Sequence, residues 1–159
     1  MMVTTTVKVR PAQRSDAAEM MSLIRELALY EKAPEQVTVT EEHFIESGFG
    51  AQPVWWAEVA VVPASEDREE QIIGFALYYV RYSTWKGQRM YLEDIVVREA
   101  WRGKGIGGLL MDKLIATARD RRFSGMLWQV LDWNEPAIAF YRKYGAQFDN
   151  SWINVSLEL

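Results

Sequence analysis

Apolar residues recur at two periods along this chain, and the switches between the periods lay out its elements. Between residues 16 and 32 the positions Met20, Leu23, Ile24, Leu27 and Ala28 fall on one stripe of a 3.6-residue repeat. That pattern predicts an amphipathic helix, with Ser15 as its cap and Pro34 beyond its end. A shorter helix is expected from Thr40, as N-cap, through Ser47, ended by Gly48. Residues 7–10 alternate as an edge strand, and residues 55–62 and 72–82 read as neighbouring strands joined by a polar loop. Residues 90–97 predict a further strand, 105–122 a long helix, 126–131 a strand and 136–144 a last helix. Residues 147–148 and 152–157 should close the chain as short strands. The order β-α-α-β-β-β-α-β-α-β-β predicts a mixed α/β sheet with helices on both faces. No repeat or long linker interrupts it, so residues 1–159 are expected to form a single domain.

The turn between the strand at 90–97 and the helix after it carries the strongest chemistry. It reads Arg102-Gly103-Lys104-Gly105-Ile106-Gly107-Gly108, four glycines within six residues and flanked by cations. Glycine lets a backbone approach a ligand closely, and the first N–H groups of a helix form an anion site. The phosphate loop G-x-x-x-x-G-K-[ST] does not fit, because no Gly-Lys-Ser/Thr follows at that spacing. The dinucleotide pattern fails as well, for want of an acidic residue about 20 positions on. What fits is R-x-x-G-x-G on a strand-to-helix turn, read at Arg102, Gly105 and Gly107. One strand later Asn134 caps a helix with Glu135 and Pro136 in its first turn and Gly145 at its end. Asn134, Ala137, Ile138 and Tyr141 share one face of that helix.

These two segments resemble the pyrophosphate-binding and second motifs of the GNAT superfamily of acetyl-CoA-dependent N-acetyltransferases. The stretches Tyr82-Ser83-Thr84-Trp85-Lys86-Gly87, Tyr91-Leu92-Glu93-Asp94-Ile95 and Val130-Leu131-Asp132-Trp133-Asn134 look like its diamine and thialysine branch. So do Arg10-Pro11-Ala12, Glu26-Leu27-Ala28-Leu29-Tyr30-Glu31 and Gly48-Phe49-Gly50, and the likeness spans residues 9–152. The resemblance implies acetyl-CoA as co-substrate, held by the main chain at Ile95, Val96 and Val97, by Arg102, Gly103, Lys104, Gly105, Ile106, Gly107 and Gly108, and by Asn134, Glu135, Pro136, Ala137, Tyr141 and Lys143. It implies that Tyr141 protonates the departing thiolate and that Glu93 stands near the amine, acting through water. Tyr30, Glu31, Ser83, Trp85, Glu93, Asp94 and Trp152 would line the amine pocket, and the protein would be a homodimer.

Attack on a thioester requires a neutral amine, and an alkyl ammonium ionises near ~10.4, so a carboxylate must accept a proton and a donor must meet the sulfur. Glu93 and Asp94 are adjacent on a strand and should point to opposite faces, so that only one aims at a given pocket. His43, the only histidine, is expected at the surface of its short helix. Polyamine-acetylating members carry acids at the positions of Ser83 and Asn150. Their absence favours a zwitterionic, thialysine-like amino acid as substrate, with di- and polyamines as the alternative. A non-catalytic acyl-CoA-binding domain and a protein or peptide acetyltransferase are the other readings.

Composition narrows the picture further. The chain has no cysteine, which excludes disulfides, cysteine metal sites and a thiol nucleophile, and no metal is expected. A net charge of −4 argues against a nucleic-acid partner and suits cationic substrates. Against that acidic background Arg98, Arg102 and Lys104 stand out as a local anion site. Seven tryptophans and seven tyrosines exceed the needs of a small core and point to a pocket or interface. No apolar run approaches ~18–20 residues and no secretory leader is apparent, so neither membrane nor export is indicated and the cytoplasm is expected.

Overall fold

A computed structural model describes residues 5–159. The chain divides into two compact units, one ending at Trp128 and the other running Gln129–Leu159.

In the first unit the predicted strands join into one five-stranded sheet in chain order, β1 (Lys8–Pro11), β2 (Trp56–Val62), β3 (Gln71–Ser83), β4 (Gly87–Val97) and β5 (Met126–Leu127). The β1–β4 neighbours run antiparallel, and β4 with β5 is parallel. The sheet is therefore mixed, as the element order predicts. Alternation divides its side chains between two cores. Val59, Val61, Phe75, Leu77 and Val96 pack with α1 (Ala17–Tyr30) and α2 (Glu41–Phe49). Ala60, Ala76 and Leu92 alternate with them and are just as buried on the other face, where α3 (Ile106–Asp120) lays Leu110, Met111 and Leu114.

Several boundaries differ from expectation for identifiable reasons. Ser15 does not cap α1, because it lies inside a short 3-10 turn, Arg14–Asp16. Asp16 takes over that corner instead, accepting from the Gln13 N–H at 2.7 Å and holding Arg10 through two bonds of 2.7 and 3.0 Å. Thr40 does cap α2, accepting from His43 N–H at 3.1 Å, but the helix runs past Gly48 to Phe49. Gly48 is there for packing: a Cβ would stand 2.1 Å from the Trp55 ring, which stacks on Phe44 at 4.6 Å. Strand β4 begins earlier than residue 90, since β3 and β4 continue as a two-stranded ribbon to the Ser83–Gly87 turn. Strand β5 stops at Leu127 rather than 131, its ladder with β4 ending at Tyr91.

The second unit carries α4 (Glu135–Arg142), capped by Asn134, whose side chain accepts from Ala137 N–H at 3.3 Å. Gly145 ends it with φ +70°, the left-handed residue expected there. The closing strands do not form: residues 147–148 and 152–157 are irregular. Ile153, Val155 and Leu157 alternate as strand residues do, yet lie 83–91% exposed. A strand exists only through its ladder, and none reaches these residues in the described chain.

Candidate active site

The β3–β4 ladder contains one irregularity, and it sits at the acidic pair. Leu77 faces Asp94 and Tyr78 faces Leu92, which leaves Glu93 as an extra residue, a β-bulge. Directly paired residues share a face, so Asp94 lies with Leu77 and Val96 on the α1 side. Two residues before the bulge Tyr91 pairs with Tyr79 on that same side, their rings stacked at 4.9 Å. Glu93 follows Tyr91 at strand spacing, and its charge pushes the pKa of both tyrosines up, second only to their burial. The expectation of opposite faces is therefore corrected: the bulge turns Glu93 and Asp94 to one side. Adjacent side chains alternate only where the pleat is unbroken.

This arrangement alters acidity. Burial pushes the Asp94 carboxyl up to about 7, and the negative charges of Glu93 and Glu31 add to the shift. Glu31 follows the last residue of α1 and is itself pushed up by burial. Two carboxylates, one from α1's end and one from the bulge, thus act on Asp94, with Glu93 exposed and Asp94 half-buried. A carboxyl that titrates near neutrality is suited to exchanging protons at working pH.

Beyond the bulge β4 keeps β3 as partner but has lost β5, whose pairing ended at Tyr91. Arg98 N–H donates to Ile73 O at 2.7 Å, so Val96 and Asp94, in phase with Arg98, also face β3. Ile95 and Val97, of opposite phase, turn their main-chain groups to the open edge. Val97 O accepts from Arg102 Nε at 3.0 Å on that edge. Of the three expected main-chain contacts, Ile95 and Val97 have free-edge groups, whereas Val96 is a core residue held toward β3.

The glycine loop follows. Gly103 and Gly105 have φ +72° and +80°, and Gly105 is the residue from which α3 starts. A Cβ at either would meet nothing within 4 Å, so the glycines answer to backbone conformation and leave the space before the helix open. Leu109 makes the first helical bond, to Gly105 O, and the N–H groups of Ile106 and Gly107 precede it at the positive end of α3. The surrounding cations are not equally available. Arg98 pairs with Glu19 at 3.0 Å and lies 3.8 Å from Glu26, and Arg102 also lies 3.8 Å from Glu26. Lys104, whose Nζ lies 4.9 Å from the centre of the Trp101 ring, is in no ion pair among the described residues. Lys104 and Ile106 line a cavity of about 450 Å3 with Thr5, Val7, Trp101 and Leu109. This donor set fits an anionic group.

At the far end of the ribbon Ser83 shares the face of Asp94, and its hydroxyl accepts from the Trp85 and Lys86 N–H groups at 3.2 and 3.1 Å. Trp85 at the tip is 85% exposed. In the other unit, Asn134, Ala137 and Ile138 are half-buried and Tyr141 buried, along one stripe as expected. Glu135 and Pro136 are exposed at the start of α4, Lys143 is exposed at its end, and Trp152 is 77% exposed. His43 is exposed, as expected.

Comparisons with known proteins converge. The sequence model of the acetyltransferase (GNAT) family matches residues 21–146. The thialysine N-epsilon-acetyltransferase of Bos taurus is 41% identical over 143 residues, covering 89% of this chain and 84% of that protein. The spermidine/spermine N(1)-acetyltransferase-like protein 1 of Homo sapiens is 32% identical over 87% of this chain, which spans 20% of that longer protein. Among solved structures, an aminoglycoside acetyltransferase from an uncultured soil metagenomic sample, in complex with trehalose, superposes with a TM-score of 0.77 at 18% identity over 99% of both chains. That last likeness concerns the fold alone.

Proposed function

This chain belongs to the acetyltransferase (GNAT) family, and we propose that it transfers an acetyl group to the terminal amine of a small lysine-like amino acid of the thialysine kind. One observation carries the reading: the bulge that sets Glu93 beside Asp94, in a chain whose relatives of known substrate take amines. When bound, acetyl-CoA supplies the acetyl group as a thioester. Lys104, the glycine backbone and the start of α3 hold its phosphates, and the outward N–H groups of Ile95 and Val97 hold its arm and carbonyl. The family resemblance assigns Asn134, Glu135, Pro136, Ala137 and Lys143 to acetyl-CoA binding as well.

The amine arrives as an ammonium ion. Glu31, Glu93 and Asp94 attract it, and Tyr30, Ser83 and Trp85 complete its pocket, while the family resemblance assigns Trp152 to amine binding as well. Glu93, exposed to solvent, takes one proton through a water molecule, and Asp94, poised near 7, shares that proton as one coupled base. The neutral nitrogen then attacks, and Tyr141 gives a proton to the departing sulfur. Di- and polyamines form the second reading, supported by the human relative and by the three grouped carboxylates. The alternating apolar row at the C-terminus supports a homodimer, in which such residues would find partners. A cytoplasmic location completes this reading.

The test is thiol release from acetyl-CoA with thialysine, ornithine, lysine, putrescine, spermidine and a peptide. Thialysine should give the highest kcat/KM. A preference for spermidine would transfer the assignment to the second reading, and activity on the peptide alone would end both. Sedimentation of a monomer at micromolar concentration would remove the dimer.

A further inference from the structure

The face that carries Asp94 continues outward along the β3–β4 ribbon and changes sign. In register it presents Leu77 with Asp94, then Tyr79 with Tyr91, then Arg81 with Arg89. Two arginines therefore stand directly opposite one another. Like charges in that position destabilise a strand pair, and no carboxylate relieves them: neither is in an ion pair among the described residues. The Arg89 Nε is buried without a hydrogen-bond partner. The Arg81 guanidinium leans back toward the acids, 6.0 Å from the centre of the Tyr91 ring. The stacked Tyr79 and Tyr91 feel Arg81 from one side and Glu93 from the other, and these opposite charges do not pair with each other.

We propose that Arg81, with Arg89 across the ribbon, binds the carboxylate of an amino-acid substrate whose distal amine sits at Glu93 and Asp94. Arg81 lies four residues along β3 from the position opposite Asp94, about 13 Å at strand rise. The arginine leaning back over Tyr91 shortens that span toward one that a lysine-like zwitterion bridges. The two tyrosine rings form the floor beneath its side chain. A guanidinium grips a carboxylate through two parallel N–H bonds, which a second ammonium cannot accept. The same group that holds an amino acid thus repels the far end of a diamine. This rests on the acetyl-transfer reading above and adds to it a residue that selects among amines.

The experiment compares kcat/KM for thialysine and for its methyl ester, which removes the negative charge and keeps everything else. The wild-type protein should favour the acid by at least tenfold. Arg81→Gln should lower the acid-to-ester ratio by at least tenfold, through KM, and Arg81→Lys should restore part of it. A ratio within twofold of wild type in Arg81→Gln, with both substrates turned over, overturns the assignment and leaves the amine reading standing. A wild-type protein that acetylates neither compound strikes the amine reading itself, and this assignment falls with it.

Discussion

The guanidinium of Arg102 lies 5.2 Å from the centre of the Tyr30 ring, and its Nε donates to Val97 O at 3.0 Å. The first residue of the glycine loop is thereby fastened both to the open edge of β4 and to the last turn of α1. On the proposed reading, the wall of the amine pocket and the mouth of the phosphate site meet at one side chain. Replacing Tyr30 by Leu keeps the apolar volume and removes the ring face. A cation–π contact at such a site contributes about 0.5–1 kcal/mol, so the KM for acetyl-CoA should rise about two- to fivefold. Tyr30→Phe keeps the face and should leave that KM unchanged. Steady-state kinetics that show equal effects of Leu and Phe would detach Tyr30 from the loop.

Gly105 separates two effects that a glycine loop usually confounds. Its φ of +80° is strained for any other residue, about 1–2 kcal/mol, while a Cβ there meets nothing within 4 Å. Gly105→Ala should therefore fold and bind acetyl-CoA about thirtyfold more weakly at most. Gly105→Asp adds a negative charge where phosphates are to sit and should abolish binding. Calorimetry that finds the two variants alike, both folded, would remove the loop from the phosphate site.

Tyr141 is buried in α4, with its ring edge-on to Phe140 at 5.5 Å. Tyr141→Phe keeps that ring contact and removes only the hydroxyl. If the hydroxyl protonates the leaving sulfur, kcat should fall ~10²–10⁴-fold with acetyl-CoA affinity retained. A rate within threefold of wild type leaves Tyr141 as a packing residue.

What could be read along the chain was what local physics determines. The α1 stripe, the Thr40 and Asn134 caps, the left-handed Gly105 and Gly145 and the exposed His43 need only neighbours a few residues away. The relation of Glu93 to Asp94 is different. It depends on a register shift between two strands, and the bulge leaves no mark in the pattern of residues 90–97. The partial neutralisation of Arg98 and Arg102 by Glu19 and Glu26 is invisible along the chain for the same reason, since those pairs span more than 70 positions. Gly48 looked like a helix terminator because the Trp55 ring that demands a glycine there arrives from the next strand.

Glu58 is a cost the fold carries away from the site. It is buried on β2, its Oε2 has no hydrogen-bond partner, and burial pushes its pKa up, with Lys113 opposing. A carboxyl whose folded pKa exceeds its unfolded value binds its proton more tightly when folded. Stability is then highest below the unfolded value and declines as pH rises through the folded one. Glu58→Gln should therefore gain on wild type as pH increases. Thermal midpoints should be nearly equal at pH 5 and about 2–4 °C higher for the variant at pH 8, if the penalty is near 1 kcal/mol. A difference that does not change with pH would show that Glu58 contributes through shape and not charge.

Asp94 gives the site its own pH dependence, and the sign can be worked out from its surroundings. Below about 7 the carboxyl is protonated, so it neither attracts an ammonium ion nor shares its proton, and kcat/KM for the amine should fall on that side. Above it the carboxylate is formed and activity should reach a plateau, while the substrate amine, near ~10.4, ionises well beyond this range. Asp94→Asn should erase the limb and lower the plateau. Glu93→Gln should do something more diagnostic. The charge of Glu93 is one of the causes that hold the Asp94 proton, so its removal must shift the limb to lower pH while turnover falls from loss of the acceptor. Glu31→Gln should shift it the same way by less, with little loss of turnover. A pH–rate profile in which Glu93→Gln leaves the limb in place would mean that the two carboxylates, although side by side on the bulge, titrate independently and do not act as one base.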